Sequence, residues 1–117
     1  MVANFQAMHA AAGVAGARVT EAMPPTRTHQ NTCHTNGTCI DYSKQGGMTG
    51  AEVAAVATAA QANGLRPVYE VGSQAEANNL IAAGAPTSVV VVLPPRLVNG
   101  VMTPQISAPH FSIYAAR

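Results

Sequence analysis

The chain has 117 residues, enough for one compact domain, and 48% of them are apolar, which argues against a disordered polypeptide. Charged residues make up 9% and the formal net charge is +1, so the chain lacks the basic surface that binds nucleic acid or an anionic membrane. No apolar run approaches the roughly 20 residues of a membrane-spanning helix.

The first twelve residues lack the basic and leucine-rich segments of a secretory signal. Two settings fit this: a cytosolic protein, or a domain excised from a longer exported protein. Low charge, abundant Thr, Asn and Ala, and paired cysteines favour the second, with the parent protein extracellular, periplasmic or attached to the cell wall. We expect one domain spanning residues 1–117, without repeats or linkers, and favour a monomer.

Three segments show the apolar spacing of helices, at 4–12, from 50 to about 63, and from 74 to about 83. The second and third begin with capping boxes, in which a hydroxyl and a glutamate can satisfy each other's backbone N–H groups. The paired residues are Thr49 with Glu52, and Ser73 with Glu76. We expect the second helix to bury Val53, Val56, Ala57 and Ala60, and the third to bury Leu80 and Ile81.

Strands are predicted at 17–22, on both sides of a turn within 32–41, and at 67–71, 88–93 and 111–115. The unbroken β-branched run 88–93 predicts a central strand buried on both faces, and 43–48 is interpreted as a loop. Asn99 and Gly100 predict a hairpin between 97–98 and 101–102. This order predicts an α+β fold, with two or three helices on one face of a small, largely antiparallel sheet.

The segment 32–41 reads Thr-Cys-His-Thr-Asn-Gly-Thr-Cys-Ile-Asp and contains the only aspartate of the chain. If Asn36 and Gly37 form a two-residue turn, His34 and Asp41 share one face as diagonal neighbours, within reach of one metal ion. His110 supplies another imidazole near the C-terminus. Two histidines and one carboxylate are the ligands of a catalytic zinc, with the fourth position left for water. Spacing alone also allows a surface hairpin whose His and Asp only form hydrogen bonds.

Two cysteines, Cys33 and Cys39, flank His34. An even number in an exported domain favours a disulfide, and a loose loop would allow it. A strict two-residue turn would point the two side chains to opposite faces and prevent it. Free thiols, and a zinc-bound Cys39, are the other possibilities.

The segment 32–41 resembles the Ser-x-His-x-x-Gly-x-Ala-x-Asp signature of the LAS-type zinc metallopeptidase superfamily. That superfamily includes D-alanyl-D-alanine carboxypeptidases, L-alanyl-D-glutamate endolysins and the hedgehog signalling domain. Thr32 stands for the signature Ser and Cys39 for its Ala. The segment 107–112, Ser-Ala-Pro-His-Phe-Ser, is similar to the Asp-x-Pro-His-Phe-Glu with which the endolysin branch ends.

The resemblance extends from about residue 17 to the end of the chain. It implies the fold of that superfamily, with a zinc ion (Zn2+) held by His34, Asp41 and His110. It also implies a carboxypeptidase or endopeptidase that hydrolyses amide bonds in peptidoglycan stem peptides. A peptide would then be the partner, with no nucleic acid and no membrane span.

The chain departs from the superfamily at the general base, an acidic residue three positions before the last histidine. Ser107 occupies that position and does not take a proton from water near neutral pH, and Ser112 replaces an outer glutamate. A non-catalytic zinc-binding module of the same family is therefore the alternative to an active peptidase. A metal-free, disulfide-stapled extracellular domain is the third hypothesis.

A substitute base has to come from the few remaining acidic or histidine side chains. Glu70 is the main candidate because it lies on an otherwise apolar predicted strand, sharing a face with Val68, and Glu21 is a weaker one. His29 could act as base or as an outer partner of the ligands. Arg27 could bind a substrate carboxylate, a role that resembles an arginine of the carboxypeptidase branch.

Overall fold

The computed structural model of the chain describes residues 2–21, 39–106 and 108–115. These ranges contain three helices and seven strands, the α+β architecture that the sequence predicts. The helices are α1 (Val2–Ala12), α2 (Gly50–Ala62) and α3 (Gln74–Ala82). The strands are β1 (Ala17–Glu21), β2 (Cys39–Lys44), β3 (Leu65–Val71), β4 (Val90–Val92), β5 (Arg96–Val98), β6 (Val101–Thr103) and β7 (His110–Ala115). Within these ranges no helix has the length and apolar character needed to cross a membrane.

Five strands form one sheet in the order β1-β2-β7-β3-β4. All neighbours are antiparallel except β3 and β4, which are parallel. The C-terminal strand β7 is therefore inserted between β2 and β3, so residues from three distant parts of the chain lie side by side. Strands β5 and β6 form a separate two-stranded hairpin.

The three helices pack on one face of this sheet, where a row of aromatic residues forms the core. Strand register places Tyr42 beside Phe111, and Phe111 beside Tyr69. All three are at most 1% exposed, and the rings of Tyr69 and Phe111 meet at 4.8 Å in an edge-to-face arrangement. Helix α2 buries the predicted set Val53, Val56, Ala57 and Ala60. Because side chains alternate along a strand, the residues that directly precede and follow each aromatic residue point to the opposite face of the sheet.

The capping predictions are confirmed for α2 and corrected for α3. At α2 the reciprocal Thr49–Glu52 bonds are both present. At α3 Ser73 accepts the Glu76 backbone N–H, but the Glu76 carboxylate accepts from the Gly72 N–H at 3.2 Å. Helix α3 also buries Ala77, whereas the predicted Leu80 and Ile81 are only half-buried, because α3 packs near the sheet edge against β3 and β4.

One predicted strand and one predicted loop differ from the structure, and the predicted hairpin is confirmed. The run 88–93 forms only Val90–Val92 at an edge of the sheet, where Val91 is 38% exposed, because β-branched composition favours any pleated strand and says nothing about its neighbours. The interpretation of 43–48 as a loop fails at its start, since β2 continues to Lys44 and pairs there with β1. The hairpin is confirmed, with positive φ at Asn99 and Gly100.

Candidate metal centre

Four polar side chains meet on the face of the sheet that lies opposite the aromatic core. Register pairs Asp41 of β2 with Ser112 of β7, and Glu70 of β3 with His110 of β7. His110 and Ser112 are two residues apart, so both project to the same side of the central strand. These four residues are called the polar cluster below.

The polar cluster is tightly spaced. His110 Nε2 lies 3.0 Å from Glu70 Oε1 and 3.9 Å from Asp41 Oδ1. The Ser112 hydroxyl lies 3.4 Å from Asp41 Oδ1 and 3.4 Å from Glu70 Oε2. The side chains of His110, Asp41 and Glu70 are 18%, 16% and 13% exposed. The cluster is therefore largely shielded from bulk water.

The second ring nitrogen of His110 is held by the backbone. Nδ1 lies 2.9 Å from the Ala108 carbonyl oxygen, and since a carbonyl only accepts, Nδ1–H donates this bond. Nε2 is thereby turned toward the two carboxylates. In a neutral imidazole protonated on Nδ1, Nε2 would carry the lone pair, which is the usual arrangement of a metal-binding histidine.

These contacts also shift the pKa of His110. Burial lowers the pKa of His110, but the hydrogen bonds to Glu70 and to the Ala108 carbonyl, together with the charges of Asp41 and Glu70, outweigh it. The net effect raises the pKa of His110 above its usual 6.5. The polar cluster therefore favours the protonated form of His110, with Nε2–H directed at Glu70.

Of the three predicted metal ligands, the structure brings two together and the third lies outside the described residues. Asp41 and His110 approach to 3.9 Å between Oδ1 and Nε2, whereas His34 falls in the segment that is not described. In residues 2–21, 39–106 and 108–115, no three His, Cys, Asp or Glu side chains are arranged to hold a metal ion by themselves. The zinc site stays a prediction, with two of its ligands adjacent.

Among the candidate catalytic residues, Glu70 is the one that the structure places at the cluster. As predicted, Glu70 shares its face with half-buried Val68, while Tyr69 and Val71 point into the core. The backbone of Glu21 pairs with that of Asp41, but its side chain is not described.

The other predicted catalytic residues, His29 and Arg27, lie outside the described residues, as does Ser107. Ser112, in contrast, lies within the polar cluster, a placement that sequence reasoning missed. Its position directly after His110-Phe111 was recognised only as the place of a missing glutamate. The available signal was strand alternation, which puts Ser112 on the same face as His110.

The structure distinguishes between a disulfide, a free thiol and a zinc ligand at Cys39. It is fully buried, pairs in register with Tyr114, and is disulfide-bonded. The only other cysteine of the chain is Cys33, which lies outside the described residues. In this structure Cys39 is therefore neither a free thiol nor a metal ligand.

Comparisons with protein-family models, with curated proteins and with solved structures found no match. The polar cluster and its chemistry are therefore the basis for a functional interpretation.

Proposed function

We propose that the chain is a zinc-dependent peptidase-like domain that hydrolyses amide bonds, with peptidoglycan stem peptides as its substrate class. One observation carries this proposal. The Glu70 carboxylate lies 3.0 Å from His110 on the face that also holds Asp41, so a possible base stands beside two of the predicted ligands. A cell-wall substrate would place the parent protein outside the cytoplasm, and the disulfide of Cys39 supports that location.

The residues of the polar cluster fit a zinc ion in their chemistry. His110 would bind through Nε2, since Nδ1–H is engaged by the Ala108 carbonyl, and Asp41 and His34 would complete the set. When bound, zinc supplies a Lewis acid that acidifies a water molecule and polarises an amide carbonyl.

Glu70 would serve as the general base. The position at which the superfamily has this base is occupied here by Ser107. Strand β3 pairs directly with β7, so Glu70 sits level with His110 without being close to it in sequence. Its carboxylate can accept a proton from a water molecule at the cluster and return that proton to the leaving amine. The contact from the Ser112 hydroxyl to Oε2 orients the carboxylate for this transfer.

The 3.0 Å distance between Glu70 Oε1 and His110 Nε2 also supports a second candidate function. A Glu70 oxygen so close to Nε2 could itself bind the metal, which would give a closed four-ligand site with His34, Asp41 and His110. A closed site leaves no position for water and is typical of structural zinc. The chain would then be a non-catalytic zinc-binding module of the same family.

Glu70→Gln separates the two functions because they assign different roles to the carboxylate. The measurements are the zinc dissociation constant, by competition with a chromophoric chelator, and the hydrolysis of purified muropeptides by the zinc-loaded protein. If Glu70 is the base, turnover falls by about 10²–10⁴-fold while zinc affinity is nearly kept. If Glu70 is a ligand, zinc affinity itself falls strongly.

Glu76→Gln is the matched control, since Glu76 is an exposed glutamate at the start of α3, and it should leave zinc affinity and turnover unchanged. A wild-type protein that binds zinc but cleaves no stem peptide and no D-Ala-terminated peptide would reject the peptidase in favour of the zinc-binding module. A wild-type protein that binds no zinc would reject both.

A further inference from the structure

Ser112 is the one buried polar residue of the described ranges, at 1% exposure. It lies on the central strand β7, with Asp41 opposite it on β2 and Val68 opposite it on β3. A hydroxyl in such a place costs free energy unless it is hydrogen-bonded, and a small apolar side chain would fill the same space. The presence of the hydroxyl is explained by its contacts to the carboxylates of Asp41 and Glu70.

Individual oxygens of the two carboxylates near the Ser112 hydroxyl contact defined partners. Glu70 directs Oε1 to His110 and Oε2 to Ser112, so both of its oxygens are engaged. Asp41 directs Oδ1 to Ser112 and toward His110. Rotation of either carboxylate would break a contact to the hydroxyl.

A hydroxyl has a single proton, so Ser112 can donate to only one carboxylate at a time. Both contacts measure 3.4 Å, longer than the usual distance for a hydroxyl donor, so neither partner holds the proton exclusively. Ser112 thus lies between the two neighbouring strands, in contact with both the Asp41 and the Glu70 carboxylates.

We infer that Ser112 is a positioning residue that holds the Asp41 carboxylate in its metal-binding orientation and the Glu70 carboxylate beside it. This inference rests on the proposed function, because it assigns Asp41 as a ligand. Ser112 touches neither metal nor substrate in this role and acts through the two carboxylates. Hydrogen-bond partners of metal ligands typically change metal affinity by about 10–100-fold when they are removed.

The test compares Ser112→Ala, which removes the hydroxyl, with Ser112→Thr, which keeps it. Zinc affinity is measured by chelator competition, and the visible absorption of the cobalt-substituted protein reports the geometry of the ligands. We expect Ser112→Ala to weaken zinc binding by about 10–100-fold and to change the cobalt spectrum, and Ser112→Thr to restore both. A hydroxyl needed only for packing would leave the cobalt spectrum of Ser112→Ala unchanged.

Ser43→Ala is the matched control. Ser43 is half-buried on the same face of β2, two residues from Asp41, and is not among the hydrogen-bond partners within the polar cluster. Its loss should leave zinc affinity and the cobalt spectrum at their wild-type values. Thermal unfolding of each metal-free variant shows whether it is folded at the temperature of the measurement, and if Ser112→Thr is not, Ser112→Ala and Ser43→Ala decide.

The outcomes distinguish this inference from the proposed function. Wild-type zinc affinity and an unaltered cobalt spectrum in Ser112→Ala would overturn the role of Ser112 and leave the zinc site standing. Failure of the wild-type protein to bind zinc would overturn both.

Discussion

Glu70 and His110 face each other across the β3–β7 pair, and their Oε1 and Nε2 atoms are 3.0 Å apart. Strand pairing, rather than the spacing of a local motif, puts this carboxylate beside the histidine. Although position 107 is a serine, an acidic group is therefore present beside His110. Under the proposed function, the base is supplied from the neighbouring strand.

Zinc should stabilise the folded protein if His110 is a ligand. At free zinc about a hundred times the dissociation constant, the free energy of unfolding should rise by about 2.7 kcal/mol, and chelation should reverse the gain. Urea unfolding with and without zinc measures it. His110→Gln should abolish the gain, whereas His9→Gln should retain it, because His9 hydrogen-bonds Tyr42 from α1 on the helix-covered side. If zinc raised the free energy of unfolding equally in His110→Gln and His9→Gln, His110 would not be a ligand.

Tyr69→Phe should destabilise the protein through a backbone group. The Tyr69 hydroxyl accepts a buried hydrogen bond from the Met48 N–H at 3.0 Å, and phenylalanine would leave that N–H without its partner. We expect a loss of about 1–3 kcal/mol in the free energy of unfolding, measured in urea. Tyr42→Phe is the comparison and should cost less, because its partner His9 is exposed and can bond to water. The opposite ranking would refute this reasoning.

Gly50→Ala should lower stability although alanine favours helices. A Cβ at Gly50 would lie 2.5 Å from the Leu80 carbonyl oxygen and 2.7 Å from the Ala83 Cβ, where α2 and α3 meet. Overpacking of this kind costs about 1–3 kcal/mol, which exceeds the gain of about 1 kcal/mol from helix propensity. Thermal unfolding measures the net loss. Gly72→Ala is the control, since its nearest contact would be an ordinary 3.5 Å to Glu76 Oε1. A melting temperature of Gly50→Ala at or above wild type would disprove the close approach.

The capping box of α2 should make stability depend on pH in the acid range. The hydrogen bond from Lys44, at 2.7 Å, and then the Thr49 N–H lower the pKa of Glu52 below its usual 4.5. The folded state therefore gains stability from ionised Glu52 above pH 4.5, and loses it as pH falls through the lowered pKa. Because solvent reaches this pair, the gain should stay below about 1 kcal/mol.

Urea unfolding of wild type and Glu52→Gln over a pH series measures this contribution. The stability difference between them should be largest near neutral pH and should shrink in acid. A difference that stays constant through the acid range would show that Glu52 ionisation contributes nothing to folding.

Local features were predictable from the sequence because neighbouring residues determine them. The box at Thr49 and Glu52, the buried stripe of α2 and the turn at Asn99 and Gly100 depend on groups within a few residues of each other. The second box was only half right, since the carboxylate of Glu76 reaches Gly72 instead of the cap residue. That choice depends on the direction in which the chain enters α3, which composition does not specify.

The position of a strand within the sheet is the long-range feature that the sequence predicted wrongly. The run 88–93 has the composition of a central strand, yet β4 lies at the edge, and the central position belongs to β7. The position of a strand in a sheet depends on which distant segments pair with it, and β-branched residues suit either place.

The sequence by itself determined which side chains could do chemistry here: the single aspartate Asp41, the late histidine His110, and Glu70 on an apolar strand. Only the tertiary structure decided that these three converge, through the order β2-β7-β3, and that Ser112 lies buried between the two carboxylates. The physical reason is that residue chemistry and alternation are local properties, whereas the distance between side chains on different strands is set by pairing between segments far apart in the chain.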